Sequence, residues 1–124
     1  GYVFQEPRLF PHLTVRGNLL YGAKGPDRLA ETAALLDIDR LLDRWPRSLS
    51  GGEARRVAIG RAMLSDPAFL LLDEPLASLD PARKEEAMML IERVRGEAGL
   101  PILLVTHDER EAERLGDTVV AMTG

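Results

Sequence analysis

The chain predicts an α/β fold: a mostly parallel sheet with flanking helices, plus a small helical subdomain. Three observations lead there. Apolar runs of strand length, Phe69–Leu72, Pro101–Thr106 and Thr118–Met122, alternate with segments of helical spacing, the pattern of parallel strands joined by right-handed crossovers. The run Pro101–Thr106 is continuously apolar, as expected of a strand covered by helices on both faces. From Asp27 to Trp45 the apolar positions recur at helical spacing instead.

Composition sets the limits. With 124 residues there is room for one domain of ordinary size. Apolar residues at 45% and charged residues at 29% suit a soluble globular protein, and the longest apolar runs fall far short of the roughly 18 residues that span a bilayer. Any membrane link must come through a partner. Sixteen basic against 20 acidic residues give a net charge of -4, so no basic field argues for nucleic acid. The absence of cysteine excludes disulfides and thiolate metal sites and is compatible with a reducing compartment. Gly1–Gln5 has no initiator methionine and no signal-peptide core and starts within a strand-like pattern, so the chain is expected to be a fragment of something longer.

Taken in order, Tyr2 to Gln5 forms a short strand pattern that Glu6-Pro7 breaks, leaving Gln5 as a polar residue at a strand exit. Thr14 is the expected N-cap of the next helix, and His12 is a surface or packing residue. Gly17 to Lys24 is the nearest imitation of a glycine-rich phosphate loop, but its second glycine is followed by Ala23, so it predicts a helix end and a turn. Leu29, Ala33 and Leu36, then Leu41, Leu42 and Trp45, predict two short helices with a break near Asp37-Ile38-Asp39. Arg44–Arg47 is a linker into a helix from Ser50 to about Leu64, with Val57, Ile59, Ala62 and Met63 in packing and Arg55, Arg56 and Arg61 on a solvated or ion-paired face. The strand Phe69–Leu72 then ends in Asp73-Glu74-Pro75. Asp80-Pro81 is a helix start, an aspartate N-cap with proline at N1, and Gly99 ends that helix. Strand Pro101–Thr106 delivers His107 to its exit, a short helix follows near Glu109 to Leu115, and Thr118–Met122 is a last strand.

Two segments carry the chemistry. Ser50-Gly51-Gly52 sets bare backbone N–H groups at a helix N-terminus, where unsatisfied donors and the dipole attract an anion. Asp73 and Glu74 are carboxylates delivered by a buried strand to its own exit, where open parallel sheets place their ligands. Each has a plainer explanation: Ser50 with Glu53 is also an ordinary capping box, and Asp73-Glu74 is also a strand entering a solvated turn that Pro75 terminates. Ala77-Ser78-Leu79-Asp80 and Val105-Thr106-His107-Asp108 follow in sequence, and what decides between the explanations is the family resemblance that this order carries.

On these residues the chain resembles the ATP-binding-cassette (ABC) ATPases. Leu49–Glu53 is similar to their signature motif, Phe69–Pro75 to the Walker B strand with its catalytic glutamate, Ala77–Asp80 to the D-loop and Val105–Asp108 to the switch histidine. The resemblance implies the C-terminal part of a P-loop NTPase domain over residues 1–124, with the helical subdomain within about 9–64 and the Walker A part absent. It implies ATP and Mg2+ as ligands: Asp73 and Gln5 at the metal, Glu74, His107 and Gln5 in catalysis, and Ser50, Gly51, Gly52, Glu53 and Asp80 at nucleotide. Many relatives carry Gln where this chain has Arg55. A second ATPase subunit in a head-to-tail dimer, transmembrane permease subunits and, indirectly, a substrate-binding protein are the implied partners, at the cytoplasmic face of the inner membrane. The Walker A strand of such a domain lies between the strand ending at His107 and Thr118–Met122, so a slot with unpaired strand edges is expected. Leu9–His12, Val15–Gly22, Glu53 and Glu74–Asp80 look like the ATPase subunits of molybdate importers. Sulfate, polyamine and sugar importers, a soluble non-transport ABC ATPase, and a non-catalytic interaction fragment are the alternatives.

Overall fold

The computed structural model describes residues 2–3, 8–77, 79–115 and 119–122. Gln5 and Ser78, which the sequence singles out, lie outside them. The described residues divide into two compact units, one made of residues 8–67 and the other of residues 2–3 with those from 68 onward.

The second unit holds the sheet. Strands β1 (Tyr2–Val3), β2 (Leu70–Asp73), β3 (Ile102–Thr106) and β4 (Val119–Met122) lie in the spatial order β1-β2-β3-β4, every neighbouring pair parallel. Leu70 and Leu72 of β2 and Ile102, Leu104 and Thr106 of β3 are buried, while the residues between them are half-buried. Helix α4 (Pro81–Ala98) starts as the sequence predicts. The Asp80 carboxylate accepts from the Arg83 N–H at 2.9 Å, and Pro81 at N1 lacks only an N–H that would have no intrahelical acceptor. The helix stops at Gly99, whose φ of 67° is the left-handed conformation that glycine adopts freely. Helix α5 (Glu109–Arg114) connects β3 toward β4.

The expected slot beside β3 is not there. β4 pairs directly with β3, Leu104 opposite Val119 and Val105 opposite Ala121, with a register shift between. The unpaired N–H and C=O groups of an open β3 edge would be costly, and the nearest available strand satisfies them.

The first unit is helical, with α1 (Val15–Leu20), α2 (Leu29–Leu35) and α3 (Gly51–Leu64). Thr14 caps α1, its hydroxyl accepting from the Gly17 N–H at 3.2 Å. Helix α3 packs on α1 and α2 through Gly60, where an added Cβ would lie 2.8 Å from Leu19 Cδ2 and 2.9 Å from Leu36 Cδ1. Asn18 is fully buried. Its side-chain oxygen accepts from the Phe10 N–H at 2.8 Å, and its amide donates to the carbonyls of Phe10, Leu13 and Thr14 at 3.0–3.2 Å. One side chain thus satisfies the irregular segment before α1, whose backbone has no ladder to join.

Three expectations need correction. The second short helix is only a 3-10 turn, Asp39–Leu41, because Asp37 turns left-handed at φ 56° and ends the α-helical run. Trp45, expected on the apolar stripe of that second helix, is instead 40% exposed, with the Arg47 guanidinium 5.6 Å from its ring. Arg56 and Arg61 of α3 are structural ties rather than a solvated or ion-paired face. Arg56 donates to the Leu36 carbonyl at 3.0 Å, and Arg61 donates to the Arg8 carbonyl at 2.8 Å while lying 5.3 Å from the Phe10 ring. Arg55 is half-buried, with a buried Nε that has no hydrogen-bond partner.

Removing the buried amide should expose how much this polar network contributes. Asn18→Ala removes the partner of the Phe10 N–H and of the Leu13 carbonyl, while the Phe10 and Thr14 carbonyls keep backbone donors, and should destabilise the protein by about 3 kcal/mol, against less than about 0.5 kcal/mol for exposed Met89→Ala. Urea unfolding followed by circular dichroism measures both; a loss under about 1 kcal/mol for Asn18→Ala would show that the network is dispensable.

Candidate active site at the exits of two parallel strands

Parallel pairing aligns the ends of β2 and β3, with Asp73 opposite Val105. The pairing runs one residue beyond the strand, as the Glu74 N–H donates to the Val105 carbonyl at 2.7 Å. Glu74 itself has φ 44°. For a residue with a Cβ this conformation costs on the order of 1 kcal/mol or more, and such outliers concentrate where side chains must be aimed. Leu76, 1% exposed, anchors the turn that follows. On β3, His107 emerges directly after Thr106. Its Nδ1–H donates to Glu74 Oε1 at 2.8 Å, so the two residues that the sequence places at separate strand exits meet.

The exit of β3 is fixed from behind. The buried Thr106 hydroxyl donates to the buried Glu111 carboxylate and accepts from the Asp108 N–H at 3.1 Å. Asp108 caps α5 through the Arg110 N–H at 2.8 Å. At the other end of α5, Arg114 holds Glu85 and Glu92 of α4. A helix of six residues does not persist alone; its two ends are tied.

These groups enclose a cavity of about 280 Å³ lined by Glu74, Ala77, Lys84, Thr106, His107, Asp108 and Glu111. The hydrogen bond to Glu74, and then its negative charge, hold the His107 imidazole protonated above its ordinary range. The Arg110 N–H, and further down the Lys84 charge, hold the Asp108 carboxyl below its range. A carboxylate held by a histidine ring at the mouth of a polar cavity can accept a proton from, or orient, a water molecule.

The second group of residues lies on α3, in the other unit. The Ser50 hydroxyl accepts from the Glu53 N–H at 3.1 Å and the Ser50 N–H donates to Glu53 Oε1 at 2.9 Å, so both halves of the capping box are present. The Ser50 N–H is also the main cause that holds the Glu53 carboxyl below its ordinary range. Capping does not preclude anion binding, because the Ser50 hydroxyl keeps its own proton to donate. The approach is open as well, since a Cβ added at Gly51 or Gly52 would meet nothing within 4 Å.

Of the residues expected at the site, Glu74 and His107 come together. Asp73 ends β2 and is not among the cavity's lining residues. Asp80 is engaged as the N-cap of α4 and pairs with Arg83 at 3.4 Å. Among the described residues no group of three or more His, Asp or Glu could hold a metal ion. No described helix is long and apolar enough to cross a membrane. Lys84 and Glu111 are additions that sequence reasoning missed. Asp108-x-x-Glu111 after a strand is a capping-box spacing that could have drawn attention to Glu111; nothing marks Lys84.

Comparison with known proteins gives consistent results. The model of the ABC transporter family matches residues 1–77. The molybdenum import ATP-binding protein ModC of Aliivibrio fischeri is 56% identical over 124 residues, covering 98% of this chain and 34% of that protein. Its counterpart in Haemophilus influenzae is also 56% identical, with 98% and 35% covered. The chain therefore spans about a third of the length of these curated relatives. Among solved structures, cbiO1 of Clostridium perfringens, part of the ABC transporter complex cbiONQ, superposes with a TM-score of 0.87 at 32% identity over 99% of this chain and 53% of that one. The ATP-binding cassette MJ0796, a dimer in a post-hydrolysis state with ADP and Pi, gives 0.73 at 31% identity, covering 99% and 58%.

The Glu74–His107 pair makes a pH prediction. A raised histidine pKa means that the pair stabilises the fold fully below the ordinary value of about 6.5 and ceases to do so as pH rises through the raised native value. An NMR titration should place the His107 midpoint above 6.5, and Glu74→Gln should bring it back toward that value. An unchanged midpoint in Glu74→Gln would mean that the carboxylate does not govern the imidazole.

Proposed function

The chain belongs to the ABC transporter family, and from that premise we propose that it is part of an ATPase subunit that energises molybdate import. The observation that carries the ATPase reading is the Glu74–His107 hydrogen bond at the paired exits of β2 and β3. Molybdate as the cargo rests on the 56% identity to molybdenum import proteins. We read residues 1–124 as part of an ABC ATPase domain with a helical subdomain within about 9–64.

In this reading Glu74 accepts a proton from, or orients, the water that attacks the terminal phosphate, while the bond from that phosphorus to the bridging oxygen breaks. His107 contacts the same phosphate. The His107 ring that now engages Glu74 can be drawn to the phosphate, freeing the carboxylate for the water. Asp73, with Gln5, would hold Mg2+. Carboxylate oxygen suits that hard ion, and one or two carboxylates suffice because substrate phosphates complete its shell. When bound, the metal supplies charge neutralisation at the phosphates.

Ser50, Gly51 and Gly52, with Glu53 behind them, receive the terminal phosphate of a nucleotide held by a second copy of the subunit. Asp80 joins the two sites across that interface. The dimer is head-to-tail and sits with two permease subunits at the cytoplasmic face of the membrane, served indirectly by a substrate-binding protein. The open approach over Gly51 and Gly52 and the free hydroxyl proton of Ser50 support this role.

Two variants of the complete subunit separate the two roles. Glu74→Gln keeps shape and hydrogen bonding but removes the base, so turnover should fall by roughly 10² or more while ATP still drives dimerisation. Ser50→Arg puts a bulky cation at the helix end and should stay monomeric with ATP. Light scattering that finds both variants in the same state, or normal turnover in Ser50→Arg, would reduce the serine to a helix cap.

Cargo is tested in cells. Deleting the gene should lower molybdoenzyme activity, with recovery at high external molybdate. Loss of sulfate or polyamine uptake alone would overturn molybdate as the cargo and leave the ATPase reading standing.

A further inference from the structure

Glu53 poses a charge problem for the signature helix. It is the only acidic residue in the first turn of α3, and its carboxylate is tied to the Ser50 N–H at the helix end that is read above as the receptor for a polyphosphate. A carboxylate there favours the helix by complementing its dipole. The same charge repels an incoming phosphate.

The structure supplies a counter-charge. Arg40 Nη1 lies 3.5 Å from Glu53 Oε2, with the arginine side chain 58% exposed and the glutamate 25%. The arginine is held where it is needed. It sits in the 3-10 turn Asp39–Leu41, between Ile38 and Leu41, which are both fully buried. The left-handed Asp37 leads into that turn, the Ile38 N–H ties its start to the Ala33 carbonyl of α2 at 2.9 Å, and the Leu41 N–H closes it onto the Ile38 carbonyl at 2.9 Å. The segment that leads into the turn is bound to α3 itself, because Arg56 donates to the carbonyl of Leu36, the C-cap of α2, at 3.0 Å. Helix end and counter-charge therefore belong to one packed body. Arg40 and Arg83 differ in this respect: Arg83 pairs with the carboxylate that caps its own helix, three residues away, whereas Arg40 reaches Glu53 from a separate element.

We propose that Arg40 is a positioning residue for the trans-acting phosphate site, cancelling the charge of Glu53 so that α3 can receive the nucleotide presented by a second copy of the chain. This rests on the head-to-tail reading above. Arg40 need not touch the nucleotide; it acts through Glu53. With glutamine at position 53 there would be no charge to cancel, so arginine at 40 and glutamate at 53 form a dependent pair.

The test is ATP-driven dimerisation of the complete subunit in the Glu74→Gln background, which blocks turnover. Arg40→Ala should raise the Mg-ATP concentration for half-dimerisation by roughly fivefold or more at low salt, since two such pairs act per dimer. The shift should shrink at high salt, as screening replaces the missing cation. Arg40→Lys keeps the charge and should stay within about twofold of the parent. The decisive arm is the double variant: with Glu53→Gln already present, Arg40→Ala should change nothing. Because Arg40 is exposed and a glutamine side chain at position 53 can still accept from the Ser50 N–H, these proteins should fold, and matching thermal midpoints check that they do. The inference is overturned if Arg40→Ala dimerises like the parent, if it is as harmful in the Glu53→Gln protein as beside the native glutamate, or if Arg40→Lys is as harmful as Arg40→Ala. Failure of Glu74→Gln itself to dimerise with ATP would instead bring down the head-to-tail reading, and this inference with it.

Discussion

The parallel register of β2 against β3 is the constraint on which the candidate site depends. With Asp73 opposite Val105, the backbone bond from Glu74 to the Val105 carbonyl fixes where the chain leaves β2, and His107 leaves β3 two residues beyond Val105. A slip of one residue would turn every side chain of a strand to its other face and part the imidazole from the carboxylate. The burial of Leu70, Leu72, Ile102 and Leu104 resists such a slip. Hydrophobic packing in the sheet is thus what sets a polar distance of 2.8 Å at the exits of its two inner strands. The left-handed Glu74 and the Thr106–Glu111 bond are local conditions that this register makes possible.

The helical unit solves a different problem. Helix α3 must be anchored at one end and open at the other. From Val57 to Leu64 nearly every residue is buried, and Gly60 admits Leu19 and Leu36 at distances that any side chain would forbid. The first turn is left open at Gly51. Arg56 and Arg61 help to anchor the helix. Arg61 and Asn18 together hold the segment Arg8–Thr14, and Arg56 holds the turn after α2. Long cationic side chains pack their stems along apolar surface while their heads find carbonyls, so charge alone says little about exposure.

That is also why the sequence was informative in some places and mute in others. Signals that depend on neighbours in the chain were legible: the caps Thr14, Ser50 and Asp80, the stop at Gly99, and the strands β2 and β3 with Glu74 and His107 at their exits. Signals that depend on tertiary partners were not. Arg56 and Arg61 look like surface residues until the carbonyls they reach, 20 and 53 residues away, are known. Trp45 looks like core by its periodicity, yet the turn that replaces the second helix takes it out of the apolar stripe. Lys84 joins the cavity from α4 and Glu111 from α5, which only the folded arrangement of these helices within one unit reveals. The direct pairing of β3 with β4 likewise answers to the need of an open strand edge, which sequence similarity to a larger sheet does not express.

Helix α3 and the exits of β2 and β3 would then serve opposite sides of one nucleotide from two copies of the subunit. A crystal structure of the complete Glu74→Gln subunit with Mg-ATP tests this most directly. The account predicts a dimer in which each terminal phosphate lies between Ser50 of one protomer and, on the other protomer, His107 and the substituted side chain at position 74, with the His107 ring turned from position 74 toward the phosphate. A terminal phosphate contacted by Ser50 and His107 of the same protomer, or a Ser50 that remains a helix cap with no phosphate near it, would contradict it.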